Sequence, residues 1–182
     1  MTNASEPPAG YRPCAGAAVF NRHGQVFLGR RVGLADDVPF AWQMPQGGLE
    51  RGEDPEAGAR RELEEETGIR SVRLLAEHPD WLTYDFPPEV LGRRFKNYRG
   101  QAQRWFAFAF TGDDAEIDLD ASGHAEFRRW EWVPLDTVPA LIVPFKREVY
   151  AAIVAAFLPL VDGHDRRKLG PKGPNPRDTP RG

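Results

Sequence analysis

Residues 47–69, GGLERGEDPEAGARRELEEETGI, constrain this chain more than any other stretch of it. Asp54 suits a helix N-cap, Pro55 the first helical position and Gly68 the stop. The pattern predicts a helix over 55–67 with Ala59 and Leu63 on one apolar face. Its last turns carry Glu62, Glu64, Glu65 and Glu66. Carboxylates there face the negative end of the helix dipole, at a cost of roughly 0.3–1 kcal/mol each when exposed. Glu62 and Glu66, four residues apart, also repel each other, and Arg60 and Arg61 offset only part of this. Either the acids form a solvated face, or a cation relieves them. Their place at the unfavourable end of a helix, next to a glycine pair, supports the cation. Glu62, Glu65 and Glu66 can share one face, and oxygen-only donors suit a hard ion such as Mg²⁺ or Mn²⁺.

A chain of 182 residues with 41% hydrophobic and 28% charged residues is ordinary for one soluble domain. No apolar run is long enough to predict a transmembrane helix. The first ten residues lack the basic region and apolar core of a secretory signal. The single cysteine, Cys14, makes no internal disulfide, which fits a cytoplasmic protein, and argues against a thiolate zinc site.

Residues 1–10 read as a disordered arm, 11–160 as the domain, and the Pro/Gly-rich segment 161–182 as a disordered basic tail. The tail holds six Lys or Arg against three Asp, which leaves the rest of the chain at net −6. That balance argues against broad nonspecific nucleic-acid binding. No DNA and no membrane partner is expected, and a monomer is expected. Strands are predicted at 15–20 and 25–31 around the turn Asn21-Arg22-His23-Gly24, then at 70–76, 81–86, 103–110 and 127–133. An irregular loop is expected at 34–40 and another at 89–100. An amphipathic helix is expected over 144–158, with Phe145, Val149, Ile153, Ala156 and Phe157 at helical spacing. Such a mixture suggests an α/β or α+β sandwich. The histidines show no metal-ligand spacing and read as solvent-facing. The five tryptophans read as core.

The stretch 47–69 resembles the signature of the Nudix hydrolases: Gly47, Glu53, Arg61, Glu62, Leu63, Glu65, Glu66, Gly68 and Ile69 fill nine specified positions at fixed spacing. The likeness extends to Tyr11-Arg12-Pro13, 42–48, 100–106, Ala125-Glu126-Phe127, 130–133 and 143–147, which resemble the bacterial RNA pyrophosphohydrolase branch. That branch also contains dinucleoside polyphosphate hydrolases, and loop 34–40 is longer here than in its enterobacterial members. The resemblance implies an α/β/α sandwich with a mixed central sheet. It also implies hydrolysis of a phosphoanhydride in a nucleoside diphosphate linked to another group, with divalent metal and more than one ion.

By resemblance, Glu62, Glu65 and Glu66 are metal ligands with the Gly47 carbonyl beside them. Arg61 orients the acids, Glu53 pairs with Arg61, and Glu126 is a further ligand or the general base. Arg12, Arg30, Gln101, Gln103 and Lys146 are candidates for phosphate or sugar contacts. Phe145 is either a platform for an RNA base, with Arg31 as its opposite face, or the first core residue of the last helix. The expected activity is removal of pyrophosphate from a 5′-triphosphorylated RNA end. The close alternative is diadenosine polyphosphate hydrolysis. The alternative of another class is a catalytically silent Nudix-fold binding or regulatory module, which would be expected to lose box acids that are all present here.

Overall fold

The computed structural model describes residues 6–89 and 97–161. Along these the elements are β1 (Tyr11–Phe20), β2 (Val26–Arg31), β3 (Trp42–Gln43), β4 (Gln46–Gly48), α1 (Pro55–Thr67), β5 (Val72–Glu77), β6 (Leu82–Asp85), β7 (Gly100–Phe110), β8 (Phe127–Val133), α2 (Val138–Leu141) and α3 (Arg147–Val161). The strands form one mixed sheet of order β3-β2-β1-β7-β5; β4 pairs with β1, β6 with β7 and β8 with β2. Its centre is the parallel pair β1–β7, in register from Tyr11↔Gly100 to Phe20↔Ala109. The other pairs are antiparallel.

Alternation along the central strands builds two cores, because successive side chains point to opposite faces. Ala18, Phe20, Trp105, Ala107 and Ala109 pack with Val149, Tyr150, Ile153 and Phe157 of α3. Ala15, Ala17, Val19, Phe106, Phe108 and Phe110 pack with Ala59 and Leu63 of α1. With a helix on each face, the fold is the α/β/α sandwich with a mixed sheet that was expected.

Helix α1 has the predicted bounds. Asp54 Oδ1 accepts from Ala57 N at 3.0 Å, and Gly68 adopts φ +72° with its N–H donating to Glu64 O at 2.8 Å. The first turn closes because Asn21 Oδ1 accepts from His23 N and Gln25 N.

Elsewhere the structure corrects the sequence reading. β1 starts at Tyr11 and β7 at Gly100, earlier than predicted, because each pairs with the other along its full length. The expected helix over 144–158 begins as a 3₁₀ turn, Pro144–Lys146, and turns α-helical only from Arg147. Phe145 is therefore not a core residue: it is 39% exposed. Val161, assigned to the tail by composition, closes α3 and is buried. His78, expected to face solvent, is buried, with Nδ1 accepting from Asp80 N at 3.1 Å and its ring edge-on to Phe157. The expected arm is described from Glu6 onward, where the Pro8 and Gly10 carbonyls accept from Tyr11 N and Arg99 N. Residues 1–5, part of the expected loop 89–100, His164 and residues 162–182 lie outside the described residues. Among the described residues no helix is long and apolar enough to cross a membrane.

Candidate active site

A cleft of about 610 Å³ opens where β1, β4 and α1 meet the turn that starts α3. Two of its lining residues, Gly48 and Glu62, are held by Arg61 of α1. Arg61 Nε and Nη2 donate to the two oxygens of Glu53 at 2.8 and 2.9 Å. Nη2 also donates to Gly48 O at 2.9 Å, and Nη1 to Glu62 Oε1 at 2.8 Å. Arg61 thereby ties the glycine loop to the helix and holds the Glu53 carboxyl below the usual carboxylate range. The Glu62 carboxylate lies against Gly47, where a Cβ would stand 2.0 Å from Oε2. Only glycine leaves that carboxylate its seat.

Glu62 and Glu66 both line the cleft, and so does Glu126 from the loop before β8. Burial raises the Glu62 carboxyl above its ordinary value, with Arg61 opposing the shift. Glu66 is raised further, first by burial and then by the charges of Glu62 and Glu126. Among the described residues it accepts one hydrogen bond, from Gln46 N at 3.1 Å, against the roughly four acceptor positions of a carboxylate. Glu65 departs from the expectation. It is half exposed, does not line the cleft, and leans to Arg61 Nη1 at 3.3 Å.

Among the described residues no three His, Cys, Asp or Glu side chains converge closely enough to hold an ion. The reason is visible in the ion pairs: Arg61 draws Glu62 and Glu65 to itself, and Arg31 Nε stands 3.3 Å from Glu126 Oε1. The donors fit a hard divalent ion in their chemistry. They are carboxylates and the glycine-loop carbonyls only, two of the acids are disfavoured as anions by burial, and Glu66 has acceptor capacity to spare.

The cationic rim comes from three residues named from sequence. Arg12 lies over Gly48, Arg31 lines the mouth, and Lys146 is buried beneath it. Burial pushes the Lys146 amine down to about 8, with Arg31 adding to the shift. Its Nζ stands 5.2 Å from the centre of the Tyr84 ring. Gln101 lines the cleft as expected. Gln103 and Arg30 do not. Gln103 is buried, with Nε2 donating to Gln46 Oε1 at 2.6 Å and to Gln101 Oε1 at 3.0 Å, and it orients two amides that do face the cleft. Arg30 is 4% exposed and donates from Nη2 to the carbonyls of Ala35 and Asp36. Its guanidinium holds a loop, so its candidacy for a phosphate is withdrawn.

The outer wall is apolar. Phe145 tilts against Tyr84 at 5.6 Å. Trp42, read from sequence as core, lines the cleft with the guanidinium carbons of Arg30 and Arg129 at 5.9 and 5.1 Å from its ring centre. Sequence reasoning missed Gln46, Tyr84 and the side chains of loop 34–40. Gln46 was adjacent to the glycine pair and signalled by it; the other positions carried no pattern of their own.

The arrangement joins an acidic floor to a cationic rim and an apolar wall, which is suited to a polyphosphate carrying a base. A family profile described as "NUDIX domain" matches residues 10–153. The RNA pyrophosphohydrolase of Agrobacterium fabrum is 54% identical over 155 residues, covering 81% of this chain and 91% of that one. That of Caulobacter vibrioides is 50% identical over 174 residues, covering 93% and 99%. Among solved structures, the E. coli dihydroneopterin triphosphate pyrophosphohydrolase superposes with a TM-score of 0.61 at 19% identity, over 80% of this chain and 98% of that one. A C. elegans Ap4A hydrolase superposes at 0.57 and 18% identity, over 81% and 98%. These two are too distant to speak for more than the fold. The profile match and the half-identical relatives establish that the chain belongs to the Nudix family.

Proposed function

We propose that this protein is a metal-dependent RNA 5′ pyrophosphohydrolase. It hydrolyses a phosphoanhydride of a 5′-triphosphorylated RNA, releasing pyrophosphate and leaving a 5′-monophosphate. The observation that carries the reading is the cleft itself, in which acidic floor, cationic rim and exposed Phe145 are continuous. The half-identical relatives named RNA pyrophosphohydrolase support it.

Glu62, Glu66 and the Gly47 carbonyl would hold divalent ions, Mg²⁺ or Mn²⁺ and more than one, with Glu65 at the rim. When bound, such ions supply charge neutralisation on the phosphoryl oxygens of the scissile anhydride. Arg61 fixes the Glu62 carboxylate and the glycine loop. Arg12 and Lys146 bind the phosphates, and Gln46 and Gln101 donate to phosphate or ribose oxygens. Glu126 takes the proton of the attacking water as the new P–O bond forms and the anhydride P–O bond breaks. Phe145 receives an unstacked base, as single-stranded RNA recognition requires, and Arg31 covers it from the other side. The single buried cysteine fits a reducing cytoplasm.

Substrate discrimination tests this. Base–aromatic stacking is worth roughly 1–3 kcal/mol by alanine substitution. Phe145→Ala should therefore cut RNA turnover about ten- to a hundredfold, and hydrolysis of a nucleoside triphosphate much less. Equal losses on both would remove Phe145 from RNA recognition and favour the dinucleotide alternative.

A further inference from the structure

Phe40 has φ +61° and is the one non-glycine with positive φ among the described residues. An aromatic side chain in the left-handed region is strained, and such strain persists only where the surroundings over-determine it. The loop 34–40 is held at both ends and in the middle. Arg30, buried beneath it, donates to Ala35 O at 2.8 Å and Asp36 O at 3.0 Å. Arg128 pairs with Asp36. At the far end Arg31 N donates to Ala41 O at 2.9 Å, and Ala41 bridges to Ile142. The Arg147 guanidinium carbon stands 4.7 Å from the Phe40 ring centre. The loop is thereby fastened to the segment that carries Phe145.

So fastened, it turns Leu34, Val38, Pro39 and Phe40 into the cleft. Val38 is 36% and Phe145 39% exposed. Apolar side chains held at the surface by a buried arginine and a strained backbone have no evident role in stability. They form an apolar wall of the cleft, with the Arg147 guanidinium at the Phe40 ring.

We propose that loop 34–40 is a specificity element, and that Phe40 and Val38 form a wall of the slot that receives the second nucleobase of the substrate. The proposal rests on the cleft being the hydrolytic site described above. It predicts that substrates with a base on each side of the phosphates, or a second nucleotide along the chain, are bound better than a nucleoside triphosphate. Phe40 acts on binding and Arg30 is the positioning residue that holds its loop.

Phe40→Gly is the discriminating variant, because glycine accepts positive φ without strain while the ring is removed. KM for triphosphorylated RNA should rise about tenfold more than KM for a nucleoside triphosphate, in line with the loss of one stacking contact. Its kcat on RNA should hold, and Tm should stay level or rise. Phe40→Tyr, which keeps the ring, should keep the RNA KM. Quenching of tryptophan fluorescence by a 5′-phosphorylated dinucleotide reads the same loss without turnover, since Trp42 lines the cleft. Diadenosine tetraphosphate is the second arm. If the parent protein cleaves it and not RNA, the RNA reading fails, and the wall is judged on the dinucleotide KM alone. Equal KM changes on one-base and two-base substrates, or unchanged dinucleotide quenching, would overturn the wall. A Tm drop of many degrees in Phe40→Gly would also overturn it, by assigning the ring to loop packing.

Discussion

Arg61→Ala should be among the most destabilising single changes at the site, and the structure sets its size. Four contacts at 2.8–2.9 Å would be lost, to both oxygens of Glu53, to Glu62 and to Gly48 O. Hydrogen bonds to charged groups contribute about 1.5–3 kcal/mol each, so a naive sum reaches about 6–12 kcal/mol. That sum is too large, because Arg61 is 27% exposed and Glu53 and Glu62 are 15% and 14% exposed, so water replaces part of what is lost. Removing one partner of a buried pair costs about 3–5 kcal/mol, and the partial exposure places this case near 3 kcal/mol. At roughly 2–4 °C per kcal/mol for a domain of this size, Tm should fall about 6–12 °C. Arg61→Lys should recover only part, since one ammonium cannot reproduce the planar fork. The comparison is Arg70→Ala, whose pair with Glu64 is 75% and 48% exposed and is worth about 0–1 kcal/mol. The assay is thermal and urea unfolding in chelator. An Arg61→Ala shift no larger than that of Arg70→Ala would refute the view of Arg61 as the tie between loop and helix.

Other residues give effects of different sign. Glu66→Gln should abolish most turnover in Mg²⁺ while leaving Tm in chelator level or higher, because burial and neighbouring charge disfavour the carboxylate and the amide oxygen can still accept from Gln46 N; a lower Tm would contradict this. Cys14 is wholly buried and burial pushes its thiol up to about 11, so a thiol reagent at pH 8 should label it only as the chain unfolds; labelling of the native protein within minutes would contradict the packing of β1.

Helix α1 was legible residue by residue because its determinants are local: a cap, a proline and a left-handed glycine within one stretch. The pairing of β1 with β7 was not legible, since their register joins residues nearly ninety apart and any apolar alternation is compatible with it. Arg30 and Arg31 show a finer failure. Arg30 was assigned to phosphate or sugar and Arg31 to the far face of the base, although neighbours on a strand point to opposite faces; that rule alone allowed only one to reach the cleft. Gln103 was misplaced for another reason. It shares the face of Gln101, but its position at the sheet centre buries it under Trp105, whose Nε1 donates to its Oε1. The clustered acids were legible from electrostatic frustration, and the structure adds what the sequence could not: arginines that take them into ion pairs, Arg61 with Glu62 and Glu65 and Arg70 with Glu64. Phe40 carried no sequence signal, because its importance lies in a backbone angle.

The most direct test offers purified protein with Mg²⁺ triphosphorylated RNA and diadenosine tetraphosphate side by side, with a chelator control. The account predicts 5′-monophosphorylated RNA and pyrophosphate in equal amounts, with RNA preferred and no reaction in chelator. Hydrolysis of the dinucleotide with RNA left triphosphorylated, or turnover that survives the chelator, would contradict it.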